Sequence, residues 1–386
     1  MRIKNGLIVT AVSMLLGGAS LSAHAQTQGV SSNEILIGSI QDLSGPLAGF
    51  SKMAAAGMQM RVDEINAKGG INGRKLKVIV EDSAYNPTKA VQVAQKLVNQ
   101  DKVFVVAGSI GTVVNNAAMP VQFEKNVMNF APLTGARDMF EPVNKLKFAI
   151  LDDYYGSMKE HAPVLYKKVN AKKACILHQD DEFGLEVARG VTDGLKSINV
   201  PISETTTYKR GATDFSSQIV KLKAANCDFV GMGTLIRETP GAIAEARKTG
   251  FNPTFMGSIG AYTELVPMLG KEAVNGFYAV YSAAIPYADS SNENVRTWAA
   301  NYKAKYSSDP QLFSLYGYWI IELLSRGMEK AGANLTTESL AKAFETMGPQ
   351  GNNLSVPTVQ FTDKNHLGSS FSAIAQIQNG RWVEVK

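Results

Sequence analysis

Short apolar runs alternate with amphipathic stretches along most of the chain. Glu34-Ile35-Leu36-Ile37-Gly38 is β-rich, and residues 53–67 follow as a helix with Met53, Gly57, Met60 and Ile65 near one face. Leu76, Val78 and Val80 alternate as a strand that ends at Glu81-Asp82. Asn86-Pro87 marks the next helix start, because proline is tolerated in a first turn, and Val91, Ala94 and Val98 supply its buried stripe. Residues 103–107 form a continuous apolar run of the kind buried on both faces of a parallel sheet.

The alternation then restarts. Strands are expected over 174–178, 229–232 and 254–256, with helices over 186–198, 216–225 and 239–248. A long helix spans 313–330, and the tail, 373–385, alternates as a strand pair around Asn379-Gly380. Two successive βα series predict an α/β chain of two doubly wound, Rossmann-like lobes. No low-complexity linker separates them, so short extended crossovers are expected.

The first 25 residues stand apart from this pattern. Arg2 and Lys4 precede an uncharged apolar stretch from Leu7 to Leu16, and Ala23-His24-Ala25 follows with small residues at both cleavage-recognition positions. This reads as a signal peptide cut after Ala25, with export to the periplasm. No lipobox cysteine directly follows the apolar stretch, which disfavours a lipid anchor. The whole chain of 386 residues carries 39 Lys and Arg against 34 Asp and Glu, a formal charge of +5. Removing Arg2 and Lys4 leaves 37 against 34, or +3. So small an excess gives no case for nucleic-acid binding. Only Cys175 and Cys227 are present, too few for a disulfide scaffold or a cysteine-based zinc cluster. Each begins an apolar run. Neighbouring strands would let them bridge in an oxidising compartment; otherwise they are two buried free thiols.

In open α/β sheets, ligands bind beyond the carboxyl ends of the strands. One tetrapeptide occurs twice there, as Gly108-Ser109-Ile110-Gly111 and as Gly257-Ser258-Ile259-Gly260, once in each expected lobe. Glycine allows close backbone approach, and a helix N-terminus offers unpaired N–H groups to an anion. Thr112 adds a hydroxyl to the first copy. Two ordinary βα turns would look the same. The stretch 43–50, ending in Phe50, and the loop Ala131-Pro132-Leu133-Thr134-Gly135 are further candidates. Neither has the spacing of a dinucleotide fingerprint or a phosphate-binding loop. The histidines left after cleavage, His161, His178 and His366, are too dispersed for a zinc motif. No nucleophile elbow or catalytic-cysteine context occurs. No enzyme activity and no cofactor are therefore expected. His178-Gln179-Asp180-Asp181-Glu182 reads as a solvated loop, a hinge or a cleft wall, and Tyr154-Tyr155 as a cleft platform or packing.

Several of these residues together resemble a known family. Leu43-Ser44-Gly45-Pro46, the run Ile65-Asn66-Ala67-Lys68-Gly69-Gly70-Ile71-Asn72-Gly73, Glu81-Asp82-Ser83 with Asn86-Pro87, Asp214-Phe215-Ser216 and Phe361-Thr362-Asp363 resemble the type I periplasmic binding proteins of ABC importers, in the leucine/isoleucine/valine-binding branch. The resemblance covers essentially the whole chain beyond the leader. It implies two lobes, residues 33–153 with 284–370 and residues 154–283 with 371–386, joined by three crossovers and closing by hinge motion on a small ligand in the cleft. It also implies a monomer that docks on a membrane permease served by ATPase subunits.

Carried over residue by residue, the resemblance places Thr112 on a ligand carboxylate, beside Gly111 and Thr134. Ile110, Leu133 and Gly135 become first-lobe contacts. Phe50 and Phe183 stand where aromatic residues flank the ligand, and Phe313 is an apolar wall. The chain departs from the pattern in the second lobe. Ile259 occupies the place of the acid that holds an α-ammonium group, Leu235 that of a tyrosine, and Tyr154 or Tyr155 a further acidic place. A buried ammonium without a carboxylate partner costs several kcal/mol. The expected ligand is therefore a small acid or amide with an uncharged aromatic or short aliphatic body, with Arg237 either a second anion contact or a solvent-facing helix start. A branched-chain amino acid, or a ligand-sensing receptor role, is the alternative.

Overall fold

The computed structural model describes residues 27–385, so the expected leader and its cleavage site lie outside the described residues. The chain runs through β1 (Glu34–Gln41), α1 (Ala48–Ala67), β2 (Lys75–Asp82), α2 (Pro87–Gln95), β3 (Val105–Ala107), α3 (Thr112–Glu124), β4 (Met128–Phe130) and β5 (Lys147–Phe148). These strands form one parallel sheet in the order β2-β1-β3-β4-β5.

The second series is α4 (Tyr154–Lys168), β6 (Ala174–Gln179), α5 (Glu182–Lys196), β7 (Ile202–Tyr208), α6 (Ser216–Ala224), β8 (Phe229–Gly233), α7 (Glu238–Lys248), β9 (Thr254–Gly257), α8 (Leu265–Gly270) and β10 (Tyr278–Tyr281). The chain then supplies α9 (Glu293–Tyr306), α10 (Leu312–Ala331) and α11 (Thr337–Thr346), and ends in the hairpin β11 (Ala373–Gln378) and β12 (Arg381–Glu384). The second sheet has the order β12-β11-β10-β9-β8-β6-β7, and β11 alone runs against the other strands. The hairpin turns at Asn379 and Gly380, both at positive φ, as a two-residue loop that follows strand twist requires.

Both parallel series therefore repeat the order second, first, third, fourth, fifth. Each has its topological switch point between its first and third strands, β1 and β3 in one sheet and β6 and β8 in the other. The helices complete two lobes. α10 packs on α1 and α11, over the first sheet, while α4 and α5 pack together over the second. The α1–α10 crossing is close because of two glycines. A Cβ on Gly57 would lie 1.9 Å from the Ser314 carbonyl oxygen, and one on Gly317 would lie 2.1 Å from that of Ala54.

Two helices begin earlier than their hydrophobic stripes suggest. α1 starts at Ala48 rather than 53, because the Asp42 carboxylate accepts from the N–H groups of Gly45 (2.5 Å) and Leu47 (2.7 Å) and folds that turn onto the helix. Phe50 is thus on the helix and not in a glycine-rich loop. α5 starts at Glu182 rather than 186, capped by the Asp181 side chain on Gly184 N–H. The cysteines are bonded to each other and are not free thiols. Cys175 on β6 and Cys227, just before the neighbouring β8, have Cα atoms 5.9 Å apart.

Candidate functional site

The carboxyl ends of the two sheets face each other, and the segments leaving them meet in one small cavity. From the first lobe come Leu47 and Phe50 after β1, Tyr85 after β2, Ile110, Gly111 and Thr112 after β3, and Leu133 after β4. Phe313, in the first turn of α10, closes that side. From the second lobe come Tyr154 at the start of α4, Phe183 after β6, Leu235 after β8 and Gly260 after β9. The cavity measures about 30 Å³, room for one or two waters, so the lobes are drawn together.

Its walls are aromatic and aliphatic. Phe50 and Phe313 stack with centroids 3.9 Å apart and planes 5° from parallel. Tyr154 meets Phe183 edge-on at 5.0 Å. No charged side chain lines the cavity among the described residues.

Its polar end is built on α3. The N-cap, Gly111, has φ of 90° and provides no side-chain cap, so the first-turn N–H groups lack that partner. Only glycine fits there: a Cβ would lie 2.5 Å from the Tyr85 ring, in a backbone region that side chains disfavour. A relay of hydroxyls leads to the same point. The Tyr154 hydroxyl lies in this same buried corner, and burial raises its pKa so that it keeps its proton. Thr134 accepts from Ala136 N–H at 3.3 Å and lies 2.7 Å from the Thr112 hydroxyl. Either hydroxyl of this pair can donate to the other. Thr112, which lines the cavity, can therefore turn its proton to a ligand while it accepts from Thr134.

Among the described residues, three side-chain contacts cross between the lobes around this cavity. Gln179, at the end of β6, donates to the Tyr85 hydroxyl at 3.3 Å and to Asp181 at 2.6 Å. Arg137 grips Glu186 through two bonds of 3.0 and 3.1 Å. Glu264, after β9, accepts from Leu312 N–H of α10 at 2.9 Å, while its Oε2 is buried without a partner. Burial pushes the Glu264 carboxyl up to about 7.

Of the residues expected at the site, Phe50, Ile110, Gly111, Thr112, Leu133, Phe183, Leu235 and Phe313 line the cavity. Thr134 stands directly behind Thr112. Gly135 contributes backbone, its carbonyl accepting from Tyr154 N–H at 2.8 Å. Tyr155 points elsewhere: its hydroxyl donates to Asp193 at 2.9 Å and its ring lies 4.2 Å under the Arg137 guanidinium, while Tyr154 takes the cavity position. Ile259 packs toward Gly135, and the adjacent Gly260 lines the cavity instead. Arg237 is exposed at the start of α7 and has no place in the cavity lining. Sequence reasoning passed over Leu47 and Tyr85. Leu47 sits inside the glycine-rich stretch already singled out. Tyr85 lies between Ser83 and Asn86, and its φ of 52° aims the ring at Gly111.

Comparison with known proteins agrees with this geometry. The sequence profile described as periplasmic binding protein matches residues 34–381. The leucine-, isoleucine-, valine-, threonine- and alanine-binding protein of Pseudomonas aeruginosa is 28% identical over 344 residues, 88% of each chain. The leucine-specific-binding protein of Salmonella typhimurium is 30% identical over 260 residues, 67% of this chain and 70% of its own. Among solved structures, a fatty acid ABC transporter substrate-binding protein from Thermomonospora curvata superposes with a TM-score of 0.84 at 22% identity, covering 94% of this chain and 93% of that one. That likeness speaks to the fold alone.

Proposed function

The chain belongs to the periplasmic binding protein family, in its leucine/isoleucine/valine-binding-like group of transport proteins, which are not enzymes; we propose that it captures a small carboxylate or amide with an uncharged, apolar body for an ABC importer. In this reading the mature protein begins at Gln26, works as a periplasmic monomer, and passes its ligand to a permease driven by ATPase subunits.

The observation that carries the ligand class is the contrast between the two ends of the cavity. One end offers the α3 N-terminus and the Thr112 hydroxyl, which suit a carboxylate. The rest is uncharged: Phe50, Phe313, Phe183 and Leu235 suit an aromatic or short aliphatic body. The ligand enters with the lobes apart. Closure then brings both halves of the site onto it.

A branched-chain amino acid is the second reading. The names of the two relatives favour it, and so does the unpaired Oε2 of Glu264, whose other oxygen accepts from the backbone next to Phe313. Isothermal titration separates the two. Benzoate or a short branched aliphatic acid binding, with leucine silent, supports the first. Micromolar leucine binding with the acids silent overturns it in favour of the second. Under either reading Thr112→Val removes a charge-assisted hydrogen bond and weakens binding by about 10- to 100-fold.

A further inference from the structure

Tyr85 connects the cavity, the α3 N-cap and the second lobe. Its ring lines the cavity and stands against the N-cap at Gly111, and its hydroxyl accepts from Gln179 at 3.3 Å.

The segment that carries it is held in an unfavourable backbone conformation. Ala84 and Tyr85 follow β2 with φ of 50° and 52°, consecutive side-chain-bearing residues in the left-handed region. Neighbouring bonds impose this shape. Ser83 N–H donates to the Gln41 carbonyl at 2.7 Å, and Asn86 N–H to the Ser83 carbonyl at 2.9 Å. Asp82 Oδ1 accepts from Ala84 N–H and from Leu43 N–H, each at 2.9 Å. Strain of this kind persists where a position matters, and here it delivers one buried phenol to the cleft.

The second lobe meets that phenol with an oriented donor. Asp181 accepts from the Gln179 amide nitrogen at 2.6 Å, which turns the NH₂ end of the side chain, and not its oxygen, toward Tyr85. The Arg210 guanidinium stands 3.9 Å from Asp181 and 5.7 Å from the centre of the Tyr85 ring, and it favours the charged carboxylate. Burial raises the Tyr85 pKa, with a smaller push from Asp181, so the phenol stays protonated and uncharged.

We propose that Tyr85 is a positioning residue through which occupancy of the carboxylate seat controls closure of the lobes. A ligand at the α3 N-terminus packs on the Tyr85 ring and holds it in place, and Gln179 bonds the hydroxyl as the lobes meet. This role rests on the carboxylate-binding reading of the cleft. It applies to a simple acid and to an amino acid alike, since both carry that group.

The test places spin labels at Lys52→Cys on α1 and Met268→Cys on α8, both exposed and on opposite lobes. These helices meet across the cleft, where a Cβ on Gly49 would lie 2.8 Å from Leu265 Cδ1. Cys175 and Cys227 are bonded to each other and take no label. Pulsed dipolar spectroscopy reads the open and closed populations and isothermal titration the affinity, with benzoate, isovalerate and leucine as probes. With a probe that closes the wild type, Tyr85→Phe and Gln179→Met should each lower the closed-to-open ratio and the affinity by about 2- to 10-fold, the share of one neutral hydrogen bond. Together they should lower both no further, because each removes the same bond. Gln179→Met acts from the other lobe, so agreement of the two variants excludes a local folding defect at Tyr85. Tyr85→Phe closing as fully as the wild type overturns the proposal, and so do additive effects of the two variants. Closure by leucine alone removes the simple-acid reading of the cleft, and Tyr85 is then judged with leucine. A wild type that none of the three probes closes overturns both.

Discussion

Glu264 gives the sharpest quantitative test of how the lobes are held. It reaches from the second lobe to accept from Leu312 N–H, with one oxygen buried and unpaired, and burial raises its carboxyl from 4.5 to about 7. Tyr262 and Tyr316, both buried, pack around it and supply no cation. Between pH 4.5 and pH 7 the folded protein holds a proton here that the unfolded chain has released. Stability from this group is therefore complete below pH 4.5 and is lost as pH rises toward 7. At about 1.4 kcal/mol per pH unit the full loss is about 3 kcal/mol, and solvent reaching part of the residue brings the expected value to about 2–3 kcal/mol. Glu264→Gln keeps the shape and an acceptor oxygen but cannot ionise. Urea unfolding of both proteins at pH 5 and pH 8 reads the difference. Wild type should lose about 2–3 kcal/mol more than the variant between the two values. Asp152, whose carboxyl burial raises to about 6, slopes the same way in both proteins and cancels. Parallel pH profiles would refute the reasoning, because they would mean that Glu264 ionises in the folded protein as freely as in the unfolded chain.

Other positions give equally direct expectations. The Cys175–Cys227 bond closes a loop with a sequence separation of 52, so Cys175→Ser with Cys227→Ser should cost about 2–4 kcal/mol; an unchanged Tm with and without reductant would contradict this. Gly111→Ala drives a Cβ to 2.5 Å from the Tyr85 ring at a φ of 90°, and calorimetry should find about 1–3 kcal/mol of lost stability together with weakened ligand binding. Arg137→Gln and Glu186→Gln, taken singly and together, should show a coupling energy of about 0.5–1 kcal/mol in ligand affinity, because both side chains keep some contact with water. Additive effects would show that this pair does not hold the lobes.

The architecture was legible because buried parallel strands write continuous apolar runs, as at 103–107, and because βα series repeat. The turn after α1 was legible as a motif for a related reason: Gly69, Gly70, Asn72 and Gly73 all carry positive φ there. β7 was missed because it is an edge strand whose burial alternates and whose sequence, Ile-Ser-Glu-Thr-Thr-Thr-Tyr, is mostly polar. The early starts of α1 and α5 depend on aspartate side chains folding back on backbone N–H groups, which hydrophobic periodicity does not record. At the site, Phe50, Thr112 and Phe313 stood out by residue type and position. The exchange of Tyr155 for Tyr154 is a matter of one helical step: Asp153 caps α4 through Gly156 N–H and so sets which of the two rings faces inward. The disulfide was undecidable until β6 and β8 were known to be neighbours.

The contacts between lobes bear on what a ligand must supply. Gln179 on Tyr85, Arg137 on Glu186 and Glu264 on Leu312 are all formed around a cavity of about 30 Å³. Strong ties of this kind would shut the ligand out, so their sum has to stay near the cost of desolvating the polar groups and bending the crossovers. The ligand then decides the balance by its contacts in the closed state. Shifting an open-to-closed ratio from 99:1 to 1:99 takes about 5.5 kcal/mol. Burying roughly 100 Å² of apolar body against Phe183 and Leu235 gives about 2.5 kcal/mol. Under the proposed reading, a carboxylate on the Thr112 hydroxyl and the α3 N-terminus would add about 1.5–3 kcal/mol. Neither end reaches the requirement alone, and the two together come close to it. A molecule with only a carboxylate, or only an apolar body, should therefore bind without closing the lobes. Transport selectivity then resides in closure more than in first contact.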